Sequence, residues 1–541
     1  MNLPEGITVL PISSWENVHQ NFTQSFQKDA CFKLENPMSA ATSSAQYRAT
    51  TANMQWLIKN AITNKRRLRA MGSGWSLSTC AVSDGGILDT KSLRLSFALA
   101  DSFVAQGYLQ AGKSSADLFF AQCGMSILQI SNKLETQRGR CLRACGASNG
   151  QSIAGASATG THGAAFATGA LQDAIVGLHI VTGPNKHVWL ERKSYPVASD
   201  QFVQWLGATA IRDDDMFNAA LVSFGSFGII HGIMLETEPI FLLEKYCSDR
   251  LAYTPQLKNA IAVLDFSTIG NILPLPWKGP QKNLYHFEVV INPNQFEPGD
   301  ASKGVYVRSM YKVPYRTDYP RIPIDDHGNT YGDDMLGFIS TVLEKADAIG
   351  TALIPPLVNK MFPLAYPSGL QTTGTMGETF SNTRFRGKVS SAAIAVDCAD
   401  ADRVMQIIIK KNKETPFPGG LAMRFVKGTQ ATLGFTRFEK TCVLEMDGVD
   451  TQPARDFFTN VWRELDAQNI SFTEHWGKMN FNLTPQLVRK MYSDARVDKW
   501  KACRSQLLDA DTRKVFTNNF MERCGLTDTA AVPPAPGSNI A

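Results

Sequence analysis

The sequence predicts a mixed α+β protein built from two domains. Its 541 residues exceed what one ordinary hydrophobic core accommodates. From about residue 40 to 240, short apolar runs separated by Gly, Ser and Asn alternate with helical patterns. Beyond about 241, strand patterns punctuated by Pro, Gly and aromatic residues alternate with helices, which is typical of a sheet covered by helices.

These changes of pattern give the predicted boundaries. Residues 1–39 form an N-terminal segment, 40–240 the first domain and 241–480 the second domain. Residues 481–526 form a C-terminal segment, and the Pro/Ala/Ser-rich residues 527–541 are expected to be a disordered tail.

Composition and charge narrow the class of protein. Hydrophobic residues make up 44% and charged residues 19% of the chain, so it is expected to fold as a globular protein. A net charge of +5 without Lys/Arg blocks argues against a nucleic-acid partner. The ten cysteines are scattered without CxxC pairs, which favours a reduced, cytoplasmic protein without a metal site. The sequence contains no long apolar stretch of the kind that predicts insertion into a membrane.

The first domain opens with a helix followed by a glycine turn. Apolar residues at helical spacing predict a helix over 54–65, and RRLRAMG then predicts a buried strand ending at Gly72. The segments GGILDT (85–90) and VAQGYLQAG (104–112) are predicted strands as well. The turn Gly72-Ser73-Gly74-Trp75-Ser76 serves either chain reversal or close approach of the backbone to a ligand.

A second segment, residues 146–163, is rich in small residues. Its eighteen residues include five Gly, four Ala and five Ser or Thr, and none is charged. Such a stretch exposes backbone N–H groups and hydroxyls, which suits a phosphate-rich ligand, although a flexible surface loop is the alternative. Neither a P-loop motif nor a strand-borne GxGxxG is present.

Six motifs in order carry a resemblance to a known family. They are RAMGSGWSLS, GGILDT, GMSILQISNKL, GQSIAGASATGTHG, DDDMFNAALVSFGSFGII and EHWGKMN. Together they resemble the vanillyl-alcohol-oxidase-type flavoproteins, in particular the sugar-1,4-lactone and alditol oxidase branch, which includes D-arabinono-1,4-lactone oxidase. The resemblance implies a PCMH-type FAD-binding domain of two α/β subdomains over 40–240. It also implies a substrate-binding cap with an antiparallel sheet covered by helices over 241–480, and a C-terminal segment that returns to the FAD domain.

The resemblance implies how FAD would be held. The first glycine turn and its neighbours would wrap the pyrophosphate, the second segment would line its other side, and a later strand would reach the adenosine. The implied contacts are Met71, Gly72, Ser73, Gly74, Trp75 and Ser76, then Gly146, Ala147, Gln151, Ser152, Gly155, Thr159, Gly160, His162 and Gly163, and finally Gly228, Ile229 and Ile230. His162 is equally well explained as a hydrogen-bonded structural histidine.

Trp75 bears on how the cofactor is attached. In many relatives this position is a histidine joined covalently to the flavin, and an indole cannot form that bond. The second covalent anchor of the family, a cysteine in the second glycine segment, is also missing from 146–163. FAD is therefore expected to be non-covalent, with Trp75 near the flavin ring, unless Trp75 is a core aromatic.

Four residues are candidates for the chemistry. A cation is expected near flavin N1, where negative charge develops, and Lys478 and Arg424 are the candidates. Ala422 replaces the glutamate that alditol oxidases place two residues before the arginine, which puts polyol recognition in doubt. Three roles are open for Glu445. It is a base with a raised pKa, a residue that forms a salt bridge or orients the substrate, or an exposed residue at the edge of the sheet. His475 is an alternative base or orients the turn of Lys478.

The expected activity is oxidation of a CH–OH group of a sugar lactone, polyol or related small molecule, with O2 as the electron acceptor. The small residues Gly146 and Ala147 leave the flavin face open to oxygen. The alternatives are a dehydrogenase with another acceptor, or a tailoring or binding flavoprotein for a bulkier, less polar compound. Four aromatic residues would suit such a compound or are core residues: Phe380, Phe385, Phe425 and Phe435. The oligomeric state is open.

Overall fold

The computed structural model describes residues 3–272, 283–321, 354–381 and 388–527. Phe385 and the tail from 528 onward lie outside these residues. Within the described residues the chain forms three large sheets. Strands between residues 7 and 236 form two of them, and strands between residues 241 and 474 form the third. The mixed α+β class is confirmed.

The first sheet holds the glycine turn. Its strands, in spatial order, are Ile7–Val9, Phe32–Leu34, Ile87–Asp89 and Arg69–Met71. The last three strands are parallel, and the turn follows Met71 at the carboxyl end of its strand. Two strands of this sheet come from residues 1–39, so the N-terminal segment is part of the first domain's core rather than an appendage.

The second sheet is the core of the other subdomain. Its strands, in order, are Thr209–Arg212, Lys186–Glu191, Ile175–Gly183, Ile229–Glu236, Leu118–Gln122 and Ser96–Phe97. Tyr47, from the long helix Ser43–Thr63, stacks on His231 of this sheet with ring centroids 3.8 Å apart. The strand predicted over 104–112 is wrong: Val104 makes a single bridge, and Gln106–Gln110 then forms a short helix whose first N–H groups bond to the Ala105 carbonyl.

The third sheet has eight antiparallel strands. In order they are Gly369–Gly374, Phe241–Cys247, Val305–Pro314, Asn283–Ile291, Gly419–Lys427, Lys440–Val449, Val389–Asp397 and Thr473–Glu474. On one face, residues such as Leu444 and Met446 pack with apolar residues of the helices Ala401–Glu414 and Gln452–Ala467. The predicted antiparallel sheet covered by helices is confirmed.

Short strands and further helices complete the described residues. Two short antiparallel pairs join Ser14–Glu16 to Thr23–Ser25 and Arg140–Cys141 to Glu238–Pro239. The remaining helices are Ile127–Arg138, Ile153–Ala158, Asp200–Leu206, Asp214–Leu221, Pro255–Val263, Ile354–Ala365, Met376–Thr379, Pro485–Tyr492, Asp494–Leu507, Ala510–Val515 and Asn519–Arg523. None of the described helices is long and apolar enough to cross a membrane.

The C-terminal helices pack on the first domain. The Trp500 indole N–H donates to the Val222 carbonyl, and Arg504 donates to the Ser226 carbonyl. Asn518 donates to the carbonyls of Cys80 and Val82, in the segment that follows the glycine turn. Its Oδ1 accepts the Met521 N–H and so caps the last helix. The end of the chain thereby supports the loop that follows the predicted cofactor turn.

We expect Asn518→Ala to lower the free energy of unfolding by about 2–4 kcal/mol, because it leaves buried carbonyls unpaired and removes a helix cap. The neighbouring Asn519 is exposed, so Asn519→Ala should cost about 0.5 kcal/mol or less. Thermal melts of the two variants measure the difference. Equal shifts in melting temperature would contradict the supporting role of Asn518.

Candidate active site

A large cavity opens where the first domain meets the eight-stranded sheet. It measures about 1400 Å³, its open mouth included, and three parts of the chain supply much of its lining. The glycine turn contributes residues 70–77, the second glycine segment contributes much of 146–162, and the cap contributes Arg424, Glu445, Asp447, His475, Gly477 and Lys478. The four predicted catalytic residues therefore share one cavity with the predicted cofactor loops.

The glycine turn has the geometry of a ligand-binding loop. Gly74 has a φ of +75°, and a Cβ on it would lie 2.7 Å from the Trp15 ring, so glycine is required on both counts. A Cβ on Gly72 would lie 1.8 Å from Ser152 Oγ, so this glycine lets the two glycine segments touch. In the described part of the chain, the N–H groups of Gly72, Ser73, Gly74 and Ser76 donate no hydrogen bond. These donors are left for a ligand.

The second glycine segment faces the turn across the cavity. Ser152 precedes the short helix Ile153–Ala158, and the N–H groups of Ile153 and Ala154 bond to the Met125 and Cys123 carbonyls. Gln151 lines the cavity, and its buried Oε1 accepts no hydrogen bond among the described residues. A buried polar atom without a partner is costly, so this amide is suited to contact a ligand.

Fifteen of the eighteen predicted cofactor contacts line the cavity, and three do not. Gly160, with a φ of +76°, turns the chain beside Phe435, and Gly163 lies against the backbone of Cys145. Ile229 is fully buried, and its backbone pairs with Val181 inside the second sheet. These three residues shape the segment or the sheet but lie outside the lining.

Trp75 lines the cavity and is only partly buried, so it is not a core aromatic. His19, from the N-terminal segment, lies edge-to-face against it with ring centroids 6.4 Å apart, and it lines the cavity too. Burial lowers the pKa of His19 to about 4, although a hydrogen bond with the Trp75 backbone acts in the opposite direction. The imidazole is therefore neutral. The flavin end of the predicted site therefore contains an aromatic pair.

The face of the eight-stranded sheet that meets the first domain carries a row of charges. Cross-strand register places Arg308 opposite Glu288, Glu288 opposite Arg424, and Asp447 opposite Ser391. Glu445 lies opposite Ala422 and Ala393. Because directly opposed residues share a face, these side chains point the same way, toward the first domain.

Within this row Glu445 is held by two cations. Its Oε2 lies 2.8 Å from Arg424 Nη1, and its Oε1 lies 2.6 Å from Lys478 Nζ. Arg424 also donates from Nε to Glu288 Oε1 at 2.9 Å, and Arg308 lies 3.3 Å from the other oxygen of Glu288. The carboxylate that Ala422 lacks is thus supplied to Arg424 by Glu288 and Glu445.

Burial and charge set the ionisation of the two carboxyls. Burial alone would raise the pKa of Glu445, but Arg424 and Lys478 outweigh it and hold the pKa below its ordinary value. This suits the salt-bridge role of Glu445 rather than the raised-pKa base, and its burial excludes an exposed edge position. Burial raises the pKa of Asp447 to about 7, opposed by Lys478 and reinforced by Glu445.

The segment HWGK is fixed by its own backbone and by the glycine turn. His475 Nδ1 accepts a hydrogen bond from the Gly477 N–H at 3.0 Å. This contact fits the second role considered for His475, which is to orient the turn that carries Lys478. Burial, then His162, lowers the pKa of His475 well below its ordinary value, so this imidazole is neutral. The Leu77 N–H donates to the Gly477 carbonyl at 2.8 Å, and Ser78 Oγ donates to the Trp476 carbonyl. The cofactor turn and the loop of Lys478 are therefore bonded directly.

His162 joins the two halves of the site. Its Nδ1 lies 3.0 Å from the Gly163 carbonyl, and its Nε2 lies 3.7 Å from Glu445 Oε1. Burial lowers its pKa to about 4, so it is a neutral, hydrogen-bonded histidine that also lines the cavity. The interpretation as a hydrogen-bonded structural histidine is therefore correct, and its contact with a cofactor stays a prediction.

Asp447 and His19 are two of the lining residues that the sequence reasoning missed. Asp447 follows Glu445 by two residues, and alternation along a strand places both on one face, so the pattern E-x-D in a predicted strand was a usable signal. His19 has no such signal, because only the tertiary fold brings residues 1–39 to the glycine turn. The aromatic residues Phe380, Phe425 and Phe435 lie in the hydrophobic core and not in the lining.

The residues present fit a bound dinucleotide such as FAD. Unused backbone donors at the glycine turn suit a pyrophosphate, the Gln151 amide lacks a partner, and Lys478 and Arg424 lie in the same cavity.

Comparisons with known proteins agree with this geometry. L-gulono-1,4-lactone dehydrogenase of Mycobacterium tuberculosis is 23% identical over 484 residues, which are 89% of this chain and 95% of that protein. D-arabinono-1,4-lactone oxidase of Candida glabrata is 26% identical over 185 residues, 34% of this chain and 30% of that protein. No family model matches the chain.

Solved structures share the fold. Cholesterol oxidase from Brevibacterium sterolicum superposes with a TM-score of 0.67 at 14% identity, covering 97% of this chain and 98% of that one. A chitooligosaccharide oxidase superposes with a TM-score of 0.56 at 14% identity, covering 96% and 95%. The chain shares its fold with these oxidases, and it is similar along most of its length to the L-gulono-1,4-lactone dehydrogenase.

Proposed function

We propose that the chain binds FAD non-covalently and oxidises a secondary or primary alcohol group of a neutral sugar lactone, polyol or related hydroxylated molecule, with O2 as acceptor. One observation carries the proposal: a single cavity is lined both by backbone N–H groups that donate no hydrogen bond and by carboxylates paired with cations. The names of the relatives support the substrate class.

The glycine turn and the second glycine segment would hold the cofactor. Gly72, Ser73, Gly74 and Ser76 would direct their N–H groups at the pyrophosphate, and Gln151 Oε1 would accept a hydrogen bond from a donor group elsewhere on the cofactor. Trp75 and His19 would pack at the ring end. Neither a histidine nor a cysteine occupies the positions where relatives form a covalent bond, which supports non-covalent attachment.

Lys478 and Arg424 would act on the reacting end. When bound, FAD supplies a two-electron acceptor for a hydride. Lys478, fixed by Glu445 and by the Leu77–Gly477 hydrogen bond, would hold positive charge where negative charge develops. Arg424, clamped between Glu288 and Glu445, would orient the substrate hydroxyl.

The charge balance of the cluster favours a neutral substrate. The cations Arg308, Arg424 and Lys478 each have a carboxylate within 3.3 Å. A carboxylate on the substrate would therefore meet cations that are already compensated, together with the acids Glu445 and Asp447. A lactone or polyol avoids this repulsion.

One specific observation favours a second candidate activity. The relative that covers most of this chain is named a dehydrogenase, so an acceptor other than O2 is the alternative. The small residues Gly146 and Ala147 line the cavity and support access of O2 to the cofactor. Turnover of an accepted substrate in air, with stoichiometric H2O2, supports the oxidase; turnover that needs an artificial dye supports the dehydrogenase.

We further propose that the protein works in a reducing, cytoplasmic setting. Its ten cysteines are all free and all buried. Free thiols of this number are typical of proteins kept reduced.

We expect the purified protein to show a two-band flavin spectrum, with all of the colour passing into the supernatant on acid precipitation. The physical reason is that the indole of Trp75 cannot bond covalently to the flavin. Absorbance of pellet and supernatant measures this. Colour that stays in the pellet would contradict non-covalent binding, and a colourless protein that FAD cannot reconstitute would contradict the cofactor.

We expect Lys478→Met and Arg424→Ala each to lower kcat/KM by about 10²–10³-fold, because each removes a charge from the reacting end. Lys490→Met is the control, since Lys490 pairs with Asp466 at the protein surface. Steady-state kinetics on an accepted substrate, with melting temperatures and flavin content alongside, make the comparison. Wild-type turnover in either site variant would refute the assignment of that residue.

A further inference from the structure

A second carboxyl group, Asp447, points into the cavity beside the ion pairs. It lies on the same strand and face as Glu445, and its cross-strand neighbours Gly420 and Ser391 are small. The side chain lines the cavity although it is 1% exposed. The small neighbours leave room above the sheet at this point, so a ligand in the cavity can approach this carboxyl group.

The two oxygens of Asp447 have different surroundings. Ser391 Oγ donates a hydrogen bond to Oδ1, and Lys478 Nζ lies 3.7 Å from the same oxygen. Oδ2 accepts no hydrogen bond among the described residues. One oxygen is therefore fixed by the protein, and the other remains available to a ligand.

Glu445 contrasts with Asp447 in this respect. Both of its oxygens are engaged, one by Arg424 and one by Lys478. Accepting a proton would disrupt two buried ion pairs, which is costly. Of the two acids in the described lining, Asp447 is the one with an oxygen to spare.

We propose that Asp447 is the catalytic base that accepts the proton of the substrate hydroxyl group. This inference rests on the proposed alcohol oxidation. The O–H bond breaks and its proton goes to Oδ2 of Asp447. The C–H bond of the carbon that bears this hydroxyl breaks and a C=O bond forms; FAD, when bound, would supply the two-electron acceptor for the hydride. The proton then passes from Asp447 to solvent.

The groups that face Asp447 come from three elements. Lys478 approaches from the HWGK turn, Ser391 from the neighbouring strand, and Glu445 from its own strand, with Arg424 beyond it. Burial raises the pKa of Asp447 to about 7, Lys478 opposes the rise, and Glu445 adds to it. A pKa near neutrality is matched to proton acceptance at neutral pH.

The first test is the pH dependence of turnover. In the wild-type holoenzyme kcat/KM should fall tenfold per pH unit below about pH 7, as Asp447 takes up its proton. Asp447→Asn should lower kcat/KM by about 10²–10⁴-fold and remove this acidic limb, with kcat affected more than KM. Asp450→Asn is the matched control, because Asp450 pairs with Arg455 away from the cavity and its loss should leave the limb in place.

The second test does not depend on turnover. Infrared difference spectra of the purified protein without substrate should show the carbonyl stretch of a protonated carboxylic acid that titrates near pH 7. Because burial also raises the pKa of Glu135 to about 7 and that of Glu474 to about 8, the band of Asp447 is the part of this signal that Asp447→Asn removes. Ser391→Ala keeps the carboxyl but removes a hydrogen bond that lowers its pKa, so it should shift both the band and the acidic limb to higher pH.

The outcomes separate the two proposals. An acidic limb that persists in Asp447→Asn, or limb and band positions unchanged by Ser391→Ala, would overturn the role of Asp447. If Asp447→Asn fails to fold, the parallel upward shift in Ser391→Ala still carries the inference, and its absence overturns it. A wild-type protein that takes up no flavin and oxidises no alcohol would instead refute the proposed function.

Discussion

The pairing of buried Glu445 with Arg424 and Lys478 is the interaction on which the site depends. Three charged groups are removed from water here, and they tolerate it only because each has a partner in contact. Loss of one partner of such a pair typically costs about 3–5 kcal/mol, since an uncompensated charge remains. The same contacts fix two neighbouring strands and the HWGK turn relative to each other, so the reacting groups are held before any ligand binds.

The two faces of the eight-stranded sheet have different roles: one stabilises the cap, and the other carries the charged residues of the candidate site. One face is apolar and packs on the helices Ala401–Glu414 and Gln452–Ala467, which supplies the hydrophobic burial that stabilises the cap. The other carries the charged row and meets the first domain. Alternation along a strand allows both, because successive side chains point to opposite faces. The Leu77–Gly477 hydrogen bond then ties the predicted cofactor loop to this charged face.

Small residues decide where ligands fit. Gly72 lets the two glycine segments touch, and Gly74 turns the chain in a conformation that other residues rarely adopt. On the sheet, Gly420, Ala422 and Ser391 surround the acids Glu445 and Asp447 and keep space above them. Arg424 has carboxylate partners although Ala422 stands two residues before it, because Glu288 and Glu445 both pair with it from neighbouring strands.

The sequence by itself determined the α+β class and the two glycine segments, and its family resemblance predicted Arg424, Glu445, His475 and Lys478 as site residues. These are readable because turns, strand alternation and motif order are local properties of the chain. The tertiary structure alone decided that His19 joins Trp75, that Ile229 lies within a sheet rather than in the lining, and that Glu445 is an ion-pair partner while Asp447 keeps an oxygen toward the cavity. Burial and pairing depend on residues that are distant in sequence, so they settle ionisation and accessibility only after the strands are in register.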